Sequence, residues 1–179
     1  AAANCTPTRY GVLTGRYPSR IGQFGVLKTY SKPIIPKTRL TVASFLKGQG
    51  YHTACIGKWH LGMNKQDRWP LQRGFEKFYG CLAGATNFFD PEYPRGITEG
   101  NTHIENPEST TDRRYYTTDA FTDNAIRFIK EENAGKDKKK EDELISLDWI
   151  VLVFWECDIK SDISVSVDKI SKVLSVKEE

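Results

Sequence analysis

A cysteine, a proline and an arginine lie close together near the amino terminus, and their types and spacing indicate an anion site. Residues 5–9 read Cys-Thr-Pro-Thr-Arg. Pro7 suits the first position of a helix, for which Thr6 is a plausible N-cap and Gly15 a stop. Cys5 would then lie just before a helix N-terminus, where free amides and the helix dipole favour negative charge, with Arg9 one turn away on the same face. The alternative for Cys5 is the usual fate of a free cysteine, a small buried apolar side chain.

A lysine and a histidine two residues apart form the second candidate set. Residues 57–62 read Gly-Lys-Trp-His-Leu-Gly. If the chain is extended there, Lys58 and His60 project to one side and Trp59 to the other. A cation beside an imidazole can bind an anion and move a proton near neutral pH. Taken singly, a lysine is usually a solvated charge and a histidine usually has a structural role.

Together the two blocks resemble the signatures of the type I, formylglycine-dependent sulfatases, in particular bacterial arylsulfatase-like enzymes. The Cys-x-Pro-x-Arg run matches the pattern in which cysteine is oxidised to formylglycine, and residues 50–62 match the second signature of that family. The resemblance covers residues 1–139 as a partial catalytic domain, and residues 140–179 are a divergent tail of uncertain origin. It implies an α/β fold, namely part of the alkaline-phosphatase-like sandwich with a mixed sheet between helices.

The resemblance also implies a reaction, the hydrolysis of aryl or carbohydrate sulfate esters. One hydroxyl of the hydrated formylglycine derived from Cys5 attacks sulfur, and the other later expels sulfate by re-forming the carbonyl. Arg9 steadies the hydrate, Lys58 contacts the sulfate, and His60 hydrogen-bonds the hydroxyl and assists elimination as a base. The implied partners are a sulfated small molecule or glycan and the formylglycine-generating enzyme.

Calcium is the metal that the resemblance implies, with Cys5 as a ligand once it is oxidised and hydrated. Calcium takes six or more oxygen ligands. The family's Asp-Asp strand, its later Asp-Asn pair and its second lysine and histidine have no counterpart in this sequence. We therefore expect the isolated chain to bind calcium poorly and to hydrolyse nothing, and turnover of a chromogenic aryl sulfate by the Cys5-modified chain would overturn that expectation.

Two other functions stay open on the sequence alone. The chain could be a non-catalytic, anion-binding pseudo-sulfatase or a broken gene product, which the missing metal ligands favour. A phosphatase or phosphodiesterase of the same superfamily is the weaker alternative, because those enzymes usually present serine or threonine as the nucleophile. Localisation is not encoded here, although members of the family are commonly periplasmic, secreted or lysosomal.

Composition is that of an ordinary globular domain. The chain has 179 residues, 39% of them hydrophobic and 27% charged, which is enough for one core. Its formal net charge of +3 is spread out, so we expect no nucleic-acid partner. The apolar stretch at 144–155 is too short to cross a bilayer. Four cysteines show no zinc-type spacing.

The elements that must position the two blocks can be read from hydrophobic periodicity. Residues 40–47 and 116–132 predict amphipathic helices, and residues 51–56 predict a buried strand that leads into the second block. Residues 92–112, rich in Pro, Gly, Asn and Thr, predict a long surface loop. The apolar stretch 144–155 predicts a buried strand within the tail, with residues 150–155 as its centre.

Overall fold

The computed structural model describes residues 3–28, 30–108, 114–134 and 152–154, the last of these for the backbone only. The described backbone forms one mixed sheet with helices against it. The helices are α1 (Cys5–Thr14), α2 (Val42–Gly48) and α3 (Thr117–Ala134), with short 3-10 turns at Pro18–Ile21, Gln66–Arg68 and Pro70–Arg73. The strands are β1 (Ala54–Lys58), β2 (Lys77–Cys81), β3 (Ile97–Glu99), β4 (Thr102–Ile104) and β5 (Leu152–Phe154).

The sheet has the strand order β4-β3-β2-β1-β5. Strands β1 and β2 are parallel, with Lys58 opposite Cys81 in register, and β5 joins the other side of β1 in the same direction. The carboxyl ends of β1 and β2 therefore meet at one edge of the sheet. At that edge the chain continues the ladder, since Trp59 N–H donates to the Cys81 carbonyl at 2.8 Å and His60 N–H donates to the Leu82 carbonyl at 3.2 Å.

Side chains alternate across β1 and β2 and separate the buried residues into two apolar clusters. Cys55 and Phe78 lie with residues of α1 and α2, whereas Ile56 and Tyr79 lie with residues of α3. A sheet covered by helices on both faces is the layered arrangement expected of an α/β protein. Trp59 is buried in the first cluster, but the chain does not stay extended through His60, whose φ is 56°, so the condition of the predicted alternation is not met there.

Helix α1 begins two residues earlier than the sequence predicts, at Cys5 instead of Pro7. Cys5 is its first residue and Asn4 occupies the cap position in an extended conformation. The predicted cap, Thr6, is helical, and its hydroxyl bonds to distant backbone groups instead of to its own helix. The predicted stop is confirmed, since Gly15 has a φ of 64° and its N–H closes the helix on the Gly11 carbonyl at 2.8 Å.

The predicted loop at 92–112 is wrong in its centre, where β3 and β4 form a hairpin. Ile97 is fully buried and Thr98 is 3% exposed, so this segment contributes to the core despite its loop-like composition. Gly100, at the turn, has a φ of 58°, which a glycine adopts without strain. Burial of the Ile97 side chain therefore outweighs the local preference of this segment for a loop conformation.

The other element predictions hold with shifted ends. Helix α2 starts at Val42 because Thr41 caps it, forming a reciprocal capping box with Ser44. Strand β1 starts at Ala54 and runs to Lys58, later than the predicted 51–56, because the N–H of Thr53 bonds to the Glu76 carboxylate and not to a neighbouring strand.

The tail is described only at Leu152–Phe154. These residues form the edge strand β5, which agrees with the strand predicted at 150–155. The rest of the tail lies outside the described residues, so its predicted origin stays a prediction. Within the described ranges, no helix is both long and apolar enough to traverse a bilayer.

Candidate active site

The two sequence blocks meet where α1 begins and β1 ends. The sulfur of Cys5 lies 3.1 Å from Nδ1 of His60, across 55 positions of sequence. Cys5 itself is partly exposed, whereas His60 is 7% exposed. A thiol in contact with an imidazole, open on one side to solvent, is an arrangement that can accept a small reactant.

The backbone at His60 adopts a conformation that few residues with a side chain adopt. Its φ is 56°, and it is the one non-glycine residue with positive φ among those described. Such a conformation costs free energy and persists only where surrounding contacts hold it. Here the N–H bonds to the Leu82 carbonyl and the carbonyl accepts from the Thr6 hydroxyl at 3.3 Å. The bend turns the imidazole from the sheet toward Cys5.

Gly84 leaves the space that the imidazole occupies. A Cβ at this position would lie 2.6 Å from both Cε1 and Nε2 of His60, closer than real Cβ contacts allow. Any larger residue at 84 must therefore displace the ring. The loop that follows β2 thus forms one wall of the site.

The second ring nitrogen of His60 fixes the position of the imidazole proton. Nε2 lies 2.8 Å from the carbonyl oxygen of Leu27. A carbonyl oxygen only accepts, so Nε2 carries the proton and donates, which leaves Nδ1 of the neutral ring as an acceptor. The Cys5 thiol is then the donor in the contact between Cys5 and His60.

Arg9 joins α1 to the end of β1. Its side chain is 4% exposed, and its guanidinium donates to the backbone carbonyl of Lys58. The Lys58 side chain is half-buried and belongs to the last position of β1. The structure therefore brings Arg9 and Lys58 to the same sheet edge as Cys5 and His60.

The charges at this edge act on a neighbouring thiol. Burial raises the pKa of Cys81 to about 11, and the Ala83 backbone together with the cations Lys58, Arg95 and Arg9 opposes that rise. Three cations that influence one buried atom create a positive potential where β1 and β2 end. Such a potential favours an anionic ligand.

The other buried thiol is also held in its neutral form. Burial raises the pKa of Cys55 to about 12, with the Arg9 charge opposing. The thiolate is the reactive form of cysteine, so Cys55 and Cys81 are inert near neutral pH. Among the described cysteines, Cys5 has the imidazole partner.

The described residues do not fit a calcium ion. Within the ranges that the structure covers, no group of three His, Cys, Asp or Glu side chains lies close enough to hold a metal. The Cys5 side chain contacts an imidazole, and Arg9 and Lys58 at the same edge are cations, so none of these three partners supplies a hard oxygen ligand from its side chain. The calcium implied by the sequence resemblance therefore has no support in these residues beyond Cys5.

All four predicted site residues lie at this edge, namely Cys5, Arg9, Lys58 and His60. Three further residues contribute to the site and were not identified from the sequence. Thr6, Leu27 and Gly84 contact His60 or each other at the site. Leu27 acts through its backbone, which no side-chain pattern reveals. Thr6 was interpreted as a cap, and the only available signal was its place within the cysteine block.

Comparison with known proteins finds a matching family model and related proteins. A family model described as Sulfatase matches residues 1–145. An arylsulfatase from Hemicentrotus pulcherrimus is 33% identical over 153 residues, which are 74% of this chain and 26% of that protein. The chain thus spans about a quarter of the length of this curated relative.

Two solved structures share the fold. Ps i-CgsB in complex with k-i-k-neocarrahexaose has a TM-score of 0.61 at 25% identity, with 74% of this chain and 32% of that chain covered. BT4656 in complex with its substrate D-glucosamine-2-N,6-O-disulfate has a TM-score of 0.50 at 26% identity, with 77% of this chain and 23% of that chain covered. The predicted alkaline-phosphatase-like α/β class, present here in part, is confirmed. Since the matching region includes both blocks that the fold joins at one sheet edge, the chain belongs to the sulfatase family.

Proposed function

We propose that this chain is the nucleophile-bearing part of a sulfatase that hydrolyses aryl or carbohydrate sulfate esters. The observation that carries the proposal is the 3.1 Å contact between Cys5 and His60 beside the cations Arg9 and Lys58. The arylsulfatase relative and the sulfated sugar bound by BT4656 support both ester classes. They do not distinguish between them.

The residues present fit a formylglycine at position 5. This group supplies a hydrated aldehyde, one hydroxyl of which attacks sulfur while the other allows the bond to sulfate to break as the carbonyl re-forms. Nδ1 of His60 points at the atom that would become a hydroxyl and is free of its own proton in the neutral ring. His60 would therefore accept the proton of the second hydroxyl as the carbonyl re-forms and the C–O bond to sulfate breaks.

The cations bind and orient the ester. A sulfate ester carries one negative charge, and the sulfate released carries more, so positive side chains stabilise the product-like charge. Lys58 presents an ammonium at the strand end. The Arg9 guanidinium donates to the backbone carbonyl of Lys58 and so fixes the position of that residue. It also adds its own positive charge to the site.

Conversion of Cys5 is the first test. The chain is co-expressed with a formylglycine-generating enzyme, and the peptide that contains residue 5 is analysed by mass spectrometry. We expect loss of sulfur and two hydrogens with gain of one oxygen, together with labelling by a hydrazide. Cys81, which lacks the motif, serves as the internal control and must keep its thiol.

The result that would contradict the proposal is an intact Cys5 thiol in a preparation whose enzyme converts a control peptide fully. An Arg9→Lys variant tests the recognition motif itself, because it retains the charge but removes the guanidinium fork. Loss of conversion in that variant, with the wild type converted, shows that the enzyme reads this block and not merely an exposed cysteine.

A further inference from the structure

We propose that Thr6 is a positioning residue for His60: its hydroxyl and the Leu27 peptide together hold the imidazole in the tautomer that presents a bare Nδ1 to residue 5. The hydrogen bonds among these residues do not depend on the proposed function, whereas their consequence for catalysis rests on the proposed sulfatase function.

The three residues form a closed set of hydrogen bonds. The Thr6 hydroxyl donates to the His60 carbonyl at 3.3 Å and accepts from the Leu27 N–H at 3.1 Å. The Leu27 carbonyl in turn accepts from Nε2 of His60 at 2.8 Å. The backbone N–H of Leu27 therefore bonds to Thr6, and its backbone carbonyl bonds to the His60 ring.

A hydroxyl is required at position 6 because it donates and accepts at the same time. Thr6 is fully buried, so water does not replace these bonds when the hydroxyl is removed. A valine has the same shape but offers neither function. It would leave the Leu27 N–H and the His60 carbonyl without this partner.

The segment that carries Leu27 depends on these bonds. Leu27 itself is half-buried, and its neighbours Val26 and Lys28 are exposed, as is Phe24. Few apolar contacts therefore hold this irregular segment in place. The bond from the Leu27 N–H to Thr6 is what keeps the Leu27 carbonyl opposite the imidazole.

If the Leu27 carbonyl moved away, Nε2 of His60 would lose its acceptor, and the ring would no longer be restricted to one tautomer. The neutral ring could then carry its proton on Nδ1, where it would donate to residue 5 and could not accept a proton from it. Thr6 thus acts on the reaction through His60 without touching the substrate. Gly84 gives the ring the room to occupy this position.

The test reads the tautomer directly in the chain with unmodified Cys5. The sequence contains three histidines, and labelling with 15N-histidine gives each ring a separate pair of nitrogen signals at a pH where the ring is neutral. His52→Gln and His103→Gln variants assign the signals. We expect His60 to show a protonated Nε2 and an unprotonated Nδ1, with a large nitrogen shift difference.

Thr6→Val should shrink that shift difference as the two tautomers interchange, and Thr6→Ser, which retains the hydroxyl, should restore it. An unchanged His60 spectrum in Thr6→Val overturns the proposal, as does a wild-type ring protonated on Nδ1. If Thr6→Val fails to fold, hydrogen exchange of the Leu27 amide in the wild type decides instead. Slow exchange supports the bond to Thr6, and exchange at the rate of an open loop refutes it.

These outcomes are separable from the proposed function. Failure of Cys5 to be converted would leave the His60 tautomer as measured. Conversely, a freely interchanging tautomer in a chain whose Cys5 is converted would refute the role of Thr6 alone.

Discussion

Replacement of Gly80 by alanine should separate the two strands that carry the site. An added Cβ would lie 1.9 Å from the Gly57 carbonyl oxygen, whereas real Cβ contacts below 3.0 Å are essentially never seen. The strands must therefore move apart locally by about 1.1 Å, which lengthens a normal backbone hydrogen bond beyond its useful range. Loss of two ladder bonds at about 1 kcal/mol each, with about 1–3 kcal/mol of overpacking strain, gives a destabilisation of about 3–5 kcal/mol.

Urea unfolding followed by circular dichroism measures this change. Gly11→Ala is the matched control, since its new Cβ would meet only the Arg16 carbonyl at 3.6 Å, an ordinary contact. Within helix α1 that change should stabilise by about 0.5–1 kcal/mol through helix propensity. A Gly80→Ala chain as stable as the wild type would refute the close approach of β1 and β2 at this register.

Two further predictions concern thiol reactivity and pH. At pH 8, iodoacetamide should alkylate Cys5 in the folded chain and spare Cys55 and Cys81, because burial raises the pKa of both; peptide mass spectrometry checks this, and equal labelling of all three would contradict it. The pKa of Asp67 is lowered chiefly by the hydrogen bond from Lys37, so its contribution to stability is present above the unfolded pKa near 3.8 and is lost as pH falls through the lower folded pKa. Thermal melts from pH 6 to pH 2.5 should therefore show a smaller acid loss in Lys37→Met than in the wild type, and parallel curves would refute the pairing.

The sequence patterns pointed to Cys5 and His60, which the fold brings into contact, but not to the groups that hold them in place. Cys5 and His60 could be identified because their block patterns specify residue types at fixed offsets. Nothing in the sequence revealed that a backbone carbonyl at Leu27 orients the ring, since backbone groups are the same at every residue. Nor did local patterns show that Gly84 is needed for space, because that requirement arises only when two distant segments meet.

The errors in the fold prediction have the same origin. Thr6 has the residue type and position typical of an N-cap. In the structure, however, its hydroxyl donates to the distant His60 carbonyl and does not cap the helix. The hairpin of β3 and β4 escaped prediction because the whole segment 92–112 is rich in Pro, Gly, Asn and Thr, which is typical of a loop. The burial of Ile97 against β2 and α3, which is a tertiary effect, decided its conformation.

The central claim is that residues 5, 58 and 60 form one anion site. Its most direct test is a sulfate titration of the Cys5-converted chain, in which the chemical shifts of the His60 ring nitrogens are measured. Chloride at equal ionic strength controls for screening, and Lys58→Met controls for the cation. A saturable His60 shift with sulfate, absent with chloride and weakened in Lys58→Met, is the predicted result. A His60 spectrum indifferent to sulfate while residue 5 carries the aldehyde would contradict a common site for residues 5, 58 and 60.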